Sequence, residues 1–237
     1  KVIKTGKEVE EEIPDDEKQN KFLQMILENE WGVEKAREEL KHFLNDTIYT
    51  IGYEGRLIDE FIKVLKEHKI EVLVDVRDVA LSMYKPLFSE EALERELQRN
   101  KIRYIRKPEF GVESIVRIPY LAGALSYECF KQWYIFHAKG FHAKTSNSKK
   151  YEEKYRAYIQ ELRRKDKRLA EVVESKHKKF VEFVKYLKGA GRPCLMCVER
   201  YPTPRGGQGH YCHRHILAEL ILETETDAGK FEKRVDL

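Results

Sequence analysis

A chain of 237 residues with 41% hydrophobic and 11% aromatic side chains can bury a sizeable core, as one large domain or two smaller ones. No run of roughly 18 apolar residues is present, and the charged N-terminus lacks the apolar stretch of a signal peptide, so a soluble intracellular (cytoplasmic) protein is expected, with no membrane partner. Four cysteines, three of them crowded together, do not make a disulfide framework and read as reduced thiols or ligands. Charged residues reach 36%, dominated by Lys and Glu, the composition described for hyperthermophile proteins.

In chain order, residues 1–14 show no clean period and read as an arm or a short edge strand. Pro14-Asp15-Asp16 then opens a helical pattern in which Phe22, Leu23, Ile26, Leu27, Trp31, Val33, Leu40, Phe43 and Leu44 recur, with a break near Gly32. The reading is a helical N-terminal extension over residues 1–46. From residue 47 the rhythm changes. Thr47 to Gly52 is a β-rich run, Ile58 to Leu65 an amphipathic helix, and Glu71 to Val76 a second, buried strand. A helix over Ser89 to Leu97 and a strand over Ile102 to Ile105 complete a βαβαβ alternation, which predicts an α/β domain over residues 47–237 with a mostly parallel sheet flanked by helices. Pro119 to Lys139 has helical spacing (Leu121, Leu125, Phe130, Tyr134), and Tyr151 to Leu187 reads as one or two long basic helices stopped by Gly189 and Gly191. Cys194 to Glu199 is a fourth strand, His213 to Glu223 a final helix, and Lys233 to Leu237 a closing strand.

The net charge of +4 is unevenly spread. Glu8 to Glu12, Asp15, Asp16 and Glu17 are acidic, whereas Lys139 to Lys188 is basic and interleaved with Tyr151, Tyr155 and Tyr158. Such a surface suits a nucleic-acid backbone; a solvated helix face is the plainer alternative.

Ligands of a parallel sheet bind beyond the carboxyl ends of its strands. Here those ends read Gly52-Tyr53-Glu54-Gly55-Arg56, then Asp75 and Arg77, then Arg106-Lys107-Pro108-Glu109, then Cys197, Glu199 and Arg200. Neither a Gly-x-Gly-x-x-Gly fingerprint nor a Walker-type Gly-Lys-Ser/Thr run occurs, which argues against dinucleotide or nucleoside triphosphate chemistry. From the fourth strand onward, Cys194, Cys197 and Cys212 with His210, His213 and His215 fall within 22 residues.

Five ordered motifs then carry a resemblance: Ile51-Gly52-Tyr53-Glu54-Gly55; Val74-Asp75-Val76-Arg77; Ser82 with Lys85-Pro86-Leu87-Phe88-Ser89; Pro108-Glu109-Phe110-Gly111-Val112; and Cys197-Val198-Glu199 followed by Cys212-His213-Arg214. Over about residues 48–222 the chain resembles the family catalogued as domain of unknown function 488. The resemblance implies a Rossmann-like domain whose motifs meet at one pocket. Two departures stand out: a longer, glycine-rich segment between Glu199 and Cys212, and Tyr84 where many members carry arginine.

Three chemistries compete for that pocket. A zinc set of Cys194, Cys197, Cys212 and His213 is one, serving a hydrolase or a structural centre. Residues three apart on a strand point to opposite faces, however, so Cys194 reads better as a core residue. A lowered-pKa Cys212 beside His213 is the second, but no rhodanese-style active loop accompanies it. Lysine is the third. With Arg77 and Arg214 depressing its pKa, Lys85 could attack the aldehyde of abasic DNA, with Asp75, Glu199 or Glu54 moving the proton. Arg77, Tyr53, Lys107, His213 and Arg214 would hold the substrate and its phosphates. The resemblance extends to hyperthermophilic archaeal proteins associated with abasic-site processing. The expectation is therefore a cofactor-free DNA-repair AP lyase of base excision repair, with or without glycosylase activity; a zinc protein or a non-catalytic nucleic-acid binder is the alternative.

Overall fold

Whether a strand lies inside the sheet or at its edge follows from how apolar it is. The computed structural model describes residues 16–140, 149–201, 210–226 and 228–237. The expected N-terminal arm and acidic run up to Asp15, the start of the basic stretch after Gly140, and the glycine-rich segment before His210 lie outside those residues. Contacts divide the chain into two units, residues 1–46 and 47–237. In the first, α1 (Asp16–Glu28) and α2 (Val33–Leu44) bury Phe22, Ile26, Ala36 and Leu40 between them, with Trp31 tilted against Phe22.

The second unit runs β1 (Thr47–Gly52), α3 (Ile58–Glu67), β2 (Val72–Asp75), α4 (Glu90–Arg99), β3 (Arg103–Arg106), α5 (Ser114–Leu121), α6 (Tyr127–Lys139), α7 (Lys149–Lys165), α8 (Lys167–Gly189), β4 (Pro193–Cys197), α9 (His213–Leu222), a short hairpin of β5 (Glu225–Thr226) and β6 (Gly229–Lys230), and β7 (Lys233–Asp236). Two 3-10 turns, Pro86–Phe88 and Pro108–Phe110, follow β2 and β3. The main sheet has the order β3-β2-β4-β1-β7, and all four pairings are parallel. Its three central strands are buried along their whole length, as apolar runs in a parallel sheet require. The charged sequences Arg-Tyr-Ile-Arg and Lys-Arg-Val-Asp form the edges, where their side chains reach solvent and discourage further pairing.

Helices cover both faces. On one, Phe61, Ile62 and Leu65 of α3 and Leu93 and Leu97 of α4 pack against Tyr49, Ile51, Leu73, Cys194 and Met196. On the other, α6, α8 and α9 bury Phe130, Tyr134, Phe180, Phe183, Ile216 and Leu217 against Ile48, Val72, Val74 and Leu195. This is the expected α/β fold with a helical N-terminal extension. The pattern over Pro119 to Lys139 resolves into two helices: Gly123 adopts φ +74°, and the Ser126 side chain accepts a bond from Cys129 N that starts α6. The basic region likewise divides at Asp166, whose carboxylate caps α8 by accepting from Leu169 N at 3.0 Å. The fourth strand ends at Cys197, so Val198 and Glu199 leave the ladder.

The end of β1 touches the exit of β4 so closely that a Cβ on Gly52 would lie 1.7 Å from the Glu199 carbonyl oxygen. Gly111 meets Asp78 N in the same way at 2.3 Å. Gly52→Ala is therefore expected to lower the unfolding free energy by about 2 kcal/mol or more. At Gly32, where an added Cβ meets nothing within 4 Å, alanine should change it by under about 0.5 kcal/mol. Urea denaturation of the two variants checks the contrast.

Candidate functional site

All the parallel strands point their carboxyl ends the same way, but alternation of side chains sorts the functional residues onto two faces. In register, Leu73 lies beside Cys194 and Tyr104, and Asp75 beside Met196. Asp75 thus belongs to the face covered by α3 and α4. It is fully buried, and Oδ1 accepts from Arg77 N (3.0 Å) and Nε (2.9 Å), while Oδ2 accepts from Arg77 Nη2 (2.5 Å) and Tyr104 Oη (2.7 Å). Burial opposes the Arg77 charge, but the Asp75 hydrogen bonds and attraction outweigh it and raise the Arg77 pKa. Burial, then the Asp75 charge, pushes the Tyr104 hydroxyl up as well. The Arg77 guanidinium stands 5.3 Å over the ring of Tyr53, itself stacked on Phe88 at 4.5 Å. Beside Phe88, Lys85 is half-buried, and its Nζ donates to the carbonyls of Arg56 (2.6 Å) and Tyr53 (3.3 Å).

On the opposite face, where α9 packs, a second cluster forms. Cys197, Cys212 and His213 are 3%, 2% and 8% exposed. His213 Nε2 donates to Val76 O (2.9 Å), and Cys197 Sγ lies 3.8 Å from His213 Nδ1. Cys212 Sγ donates to Glu199 Oε2 at 2.9 Å. Burial pushes the Glu199 pKa up, but the Cys212 bond and the His213 charge prevail and bring it below the usual carboxylate value. Burial and the neighbouring Cys197 raise the Cys212 thiol well above its ordinary pKa. The His213 pKa is raised against the effect of burial by Cys212 and Glu199. Arg214, also fully buried, donates to Thr50 Oγ1, Arg200 O and Glu199 O. Tyr120 holds the approach to α9 in place, its hydroxyl accepting from Tyr211 N at 3.0 Å.

Residues 57–145 match the family model described as domain of unknown function DUF488. Over that span the chain is similar to the DUF488 family. Comparison with curated proteins and with solved structures gives no match. The matched span holds Asp75, Arg77, Lys85 and Lys107, whereas Tyr53 and Glu54 precede it and the Cys197 to Arg214 residues follow it.

The geometry of the strand ends corrects several expectations. Among the described residues the strand-end groups are divided between two faces of the sheet: Asp75, Arg77, Tyr53 and Lys85 are gathered on one face, and Cys197, Cys212, His213 and Arg214 on the other. Cys194 packs among Tyr49, Ile51 and Met196, on the face away from Cys197, and burial raises its thiol pKa. Arg214 and His213 are committed to internal acceptors and cannot fork onto phosphate. Asp75 is held by Arg77 and Tyr104, so it acts as an anchor in place of a proton carrier. Arg77 is paired with Asp75, Arg214 is bonded to Thr50 and the carbonyls of Glu199 and Arg200, and Lys85 donates to the carbonyls of Tyr53 and Arg56, so the two arginines are engaged away from Lys85. Burial lowers the pKa of Lys139, fully buried at the end of α6, to about 8, and that of Lys176 as well. Glu54 is exposed, with Oε2 accepting from Arg200 N, and Lys107 is half-exposed beside Glu109.

Tyr104 and Thr50 were missed as site residues. Tyr104 reads as an ordinary β-strand aromatic, and only its parallel register with Leu73 aims it at Asp75. Thr50 reads as β-propensity, yet it receives Arg214 Nε and donates to Asp236 Oδ1.

Asp75→Asn leaves the buried Arg77 charge uncompensated and should cost about 3 kcal/mol or more, against about 1 kcal/mol for Tyr104→Phe. Chemical denaturation of both variants reads this ratio. Glu219 offers a pH test. The hydrogen bond from His215 Nε2 chiefly lowers its pKa, burial opposes the shift, and the total with Lys131 brings it to about 2. Folded below unfolded means that the stabilisation is complete above the ordinary glutamate pKa and fades as the pH falls towards 2. Since Glu219 is half-exposed, Glu219→Gln should remove only about 0.5–1 kcal/mol at pH 7, and the difference from wild type should vanish near pH 2.

Proposed function

We propose that this protein is a DNA-repair enzyme that opens abasic sites, with Lys85 as the attacking amine. The observation that carries this reading is the surround of Lys85. Its amine stands half-buried beyond the strand ends, and the loop bearing it exposes Leu81 (67%), Met83 (85%) and Tyr84 (100%) to solvent. Large apolar side chains held out beside a cation suit a partner with stacked bases and a phosphate backbone, since such groups can enter an unstacked step while cations meet phosphate. Exposed Arg163, Arg164, Lys165, Lys167 and Arg168 at the α7–α8 junction add cationic surface, partly offset by Glu161 and Glu174.

In this reading the ring-opened sugar displaces the Tyr53 and Arg56 carbonyls from Nζ. The amine adds to C1′, water leaves, and an iminium forms. A carboxylate removes a C2′ proton, the electrons pass to the iminium, and the C3′–O bond breaks with the 3′ phosphate as leaving group. Hydrolysis of the sugar–lysine linkage restores the enzyme. Glu54 is the carboxylate best suited, because it is exposed and lies on the same turn as the two carbonyls that hold Lys85. Lys107, half-exposed at the end of β3, is the phosphate contact.

Borohydride reduction in the presence of an abasic oligonucleotide should couple wild-type protein covalently to DNA. Lys85→Ala should reduce the adduct at least about tenfold, while Glu54→Gln should still trap but cleave about 10²-fold more slowly. If wild type yields no adduct, or Lys85→Ala and Lys107→Ala both trap normally, the lyase reading is lost. Salt-dependent binding without cleavage would then identify a non-catalytic nucleic-acid binder.

A further inference from the structure

The cluster on the α9 face has no part in the lysine chemistry, and its donors are arranged for a metal. One ligand atom from each of Cys197, Cys212 and His213 lies within 4.8 Å of the others. Tetrahedral zinc bonds of about 2.3 Å to sulfur and 2.0 Å to nitrogen set ligand atoms about 3.5–3.8 Å apart. Cys197 Sγ and His213 Nδ1 already stand at 3.8 Å, so closing the set needs only side-chain adjustment.

The surroundings support the same conclusion. A carbonyl can only accept, so the 2.9 Å contact to Val76 O makes Nε2 the protonated nitrogen of His213 and leaves Nδ1 with a lone pair; Cys197 Sγ lies 3.8 Å from Nδ1 and 3.9 Å from Nε2, so a small turn of the side chains would bring Nδ1 and the sulfur onto one ion. Metal-bound histidines are oriented in this way by a hydrogen bond from their other nitrogen. Arg214 Nη1, 3.7 Å from Cys212 Sγ, would stabilise that sulfur as a thiolate. Glu199, whose Oε2 stands 2.9 Å from the same sulfur, offers a carboxylate for a fourth position. Two thiolates neutralise a divalent ion, and Glu199 balances Arg214, so the buried assembly carries no net charge. A sulfur-rich, nitrogen-containing set selects zinc over the hard cations. Cys194 takes no part, since it sits on the other face of β4.

We infer that Cys197, Cys212 and His213, with Glu199 as fourth ligand, form a zinc centre that clamps the end of β4 to the start of α9. Its burial makes it structural, and Lys85 chemistry does not depend on it.

Cobalt substitution of the full chain, stripped with chelator under reducing conditions, tests this. Addition of Co(II) should give about one tight site per chain, with a near-ultraviolet thiolate-to-cobalt band and the strong visible bands of a tetrahedral ion. Cys197→Ser and Cys212→Ser should each weaken the thiolate band by about half or more, Glu199→Gln should lower affinity about tenfold or more, and Cys129→Ser, at an exposed position, should change nothing. Wild-type protein with all thiols titrating as reduced and no thiolate-to-cobalt band would overturn the proposal, as would a band retained in the Cys197→Ser, Cys212→Ser double variant. The metal readout and the borohydride trap are independent, so failure of one leaves the other standing.

Discussion

The constraint on which this protein depends is the register of β4 between β1 and β2. Side chains alternate along a strand, so a slip of one residue would exchange every buried group between the two faces. In the observed register, Cys194 and Met196 join Leu73 and Asp75 towards α3 and α4, while Leu195 and Cys197 join Val74 and Val76 towards α9. The close contact at Gly52 and the bonds from Arg214 to Glu199 and Arg200 hold the strand at this register from its carboxyl end.

Burial then determines which charges are free to act. An isolated ion inside a protein is too costly to keep, so each buried charge here has acquired acceptors or a counter-ion. Asp75 neutralises Arg77, and Arg214 is spread over a hydroxyl and two carbonyls. These groups are the framework of the strand ends. In the proposed reading, chemistry with an outside partner falls to the half-exposed Lys85 and Lys107, the exposed Glu54 and the loop that presents Met83 and Tyr84.

The two proposed sites therefore share one sheet without sharing residues. The lysine side faces solvent through a loop rich in exposed apolar groups, as a surface for a large partner requires. The thiol side lies on the face that α6, α8 and α9 cover, where the inferred ion would be shielded from solvent.

Much of this was legible in the sequence, for identifiable reasons. Period-2 apolar runs and helical spacing mark the elements, and the charged composition of β3 and β7 marks the edges, because local patterning records which side chains meet water. The geometry of a strand alone predicts that Cys194 and Cys197 separate. Strand order, by contrast, is a property of the folded chain: nothing near Pro193 says that β4 enters between β1 and β2. That placement sends Asp75 and His213 to opposite faces, gives Tyr104 and Thr50 their partners, and turns Arg214 from an apparent phosphate ligand into an internal strut. The sequence determined the elements and the chemistry available at their ends; only the tertiary structure decided which of those groups meet, because contacts between residues more than a hundred positions apart depend on sheet order and register, which no local pattern encodes.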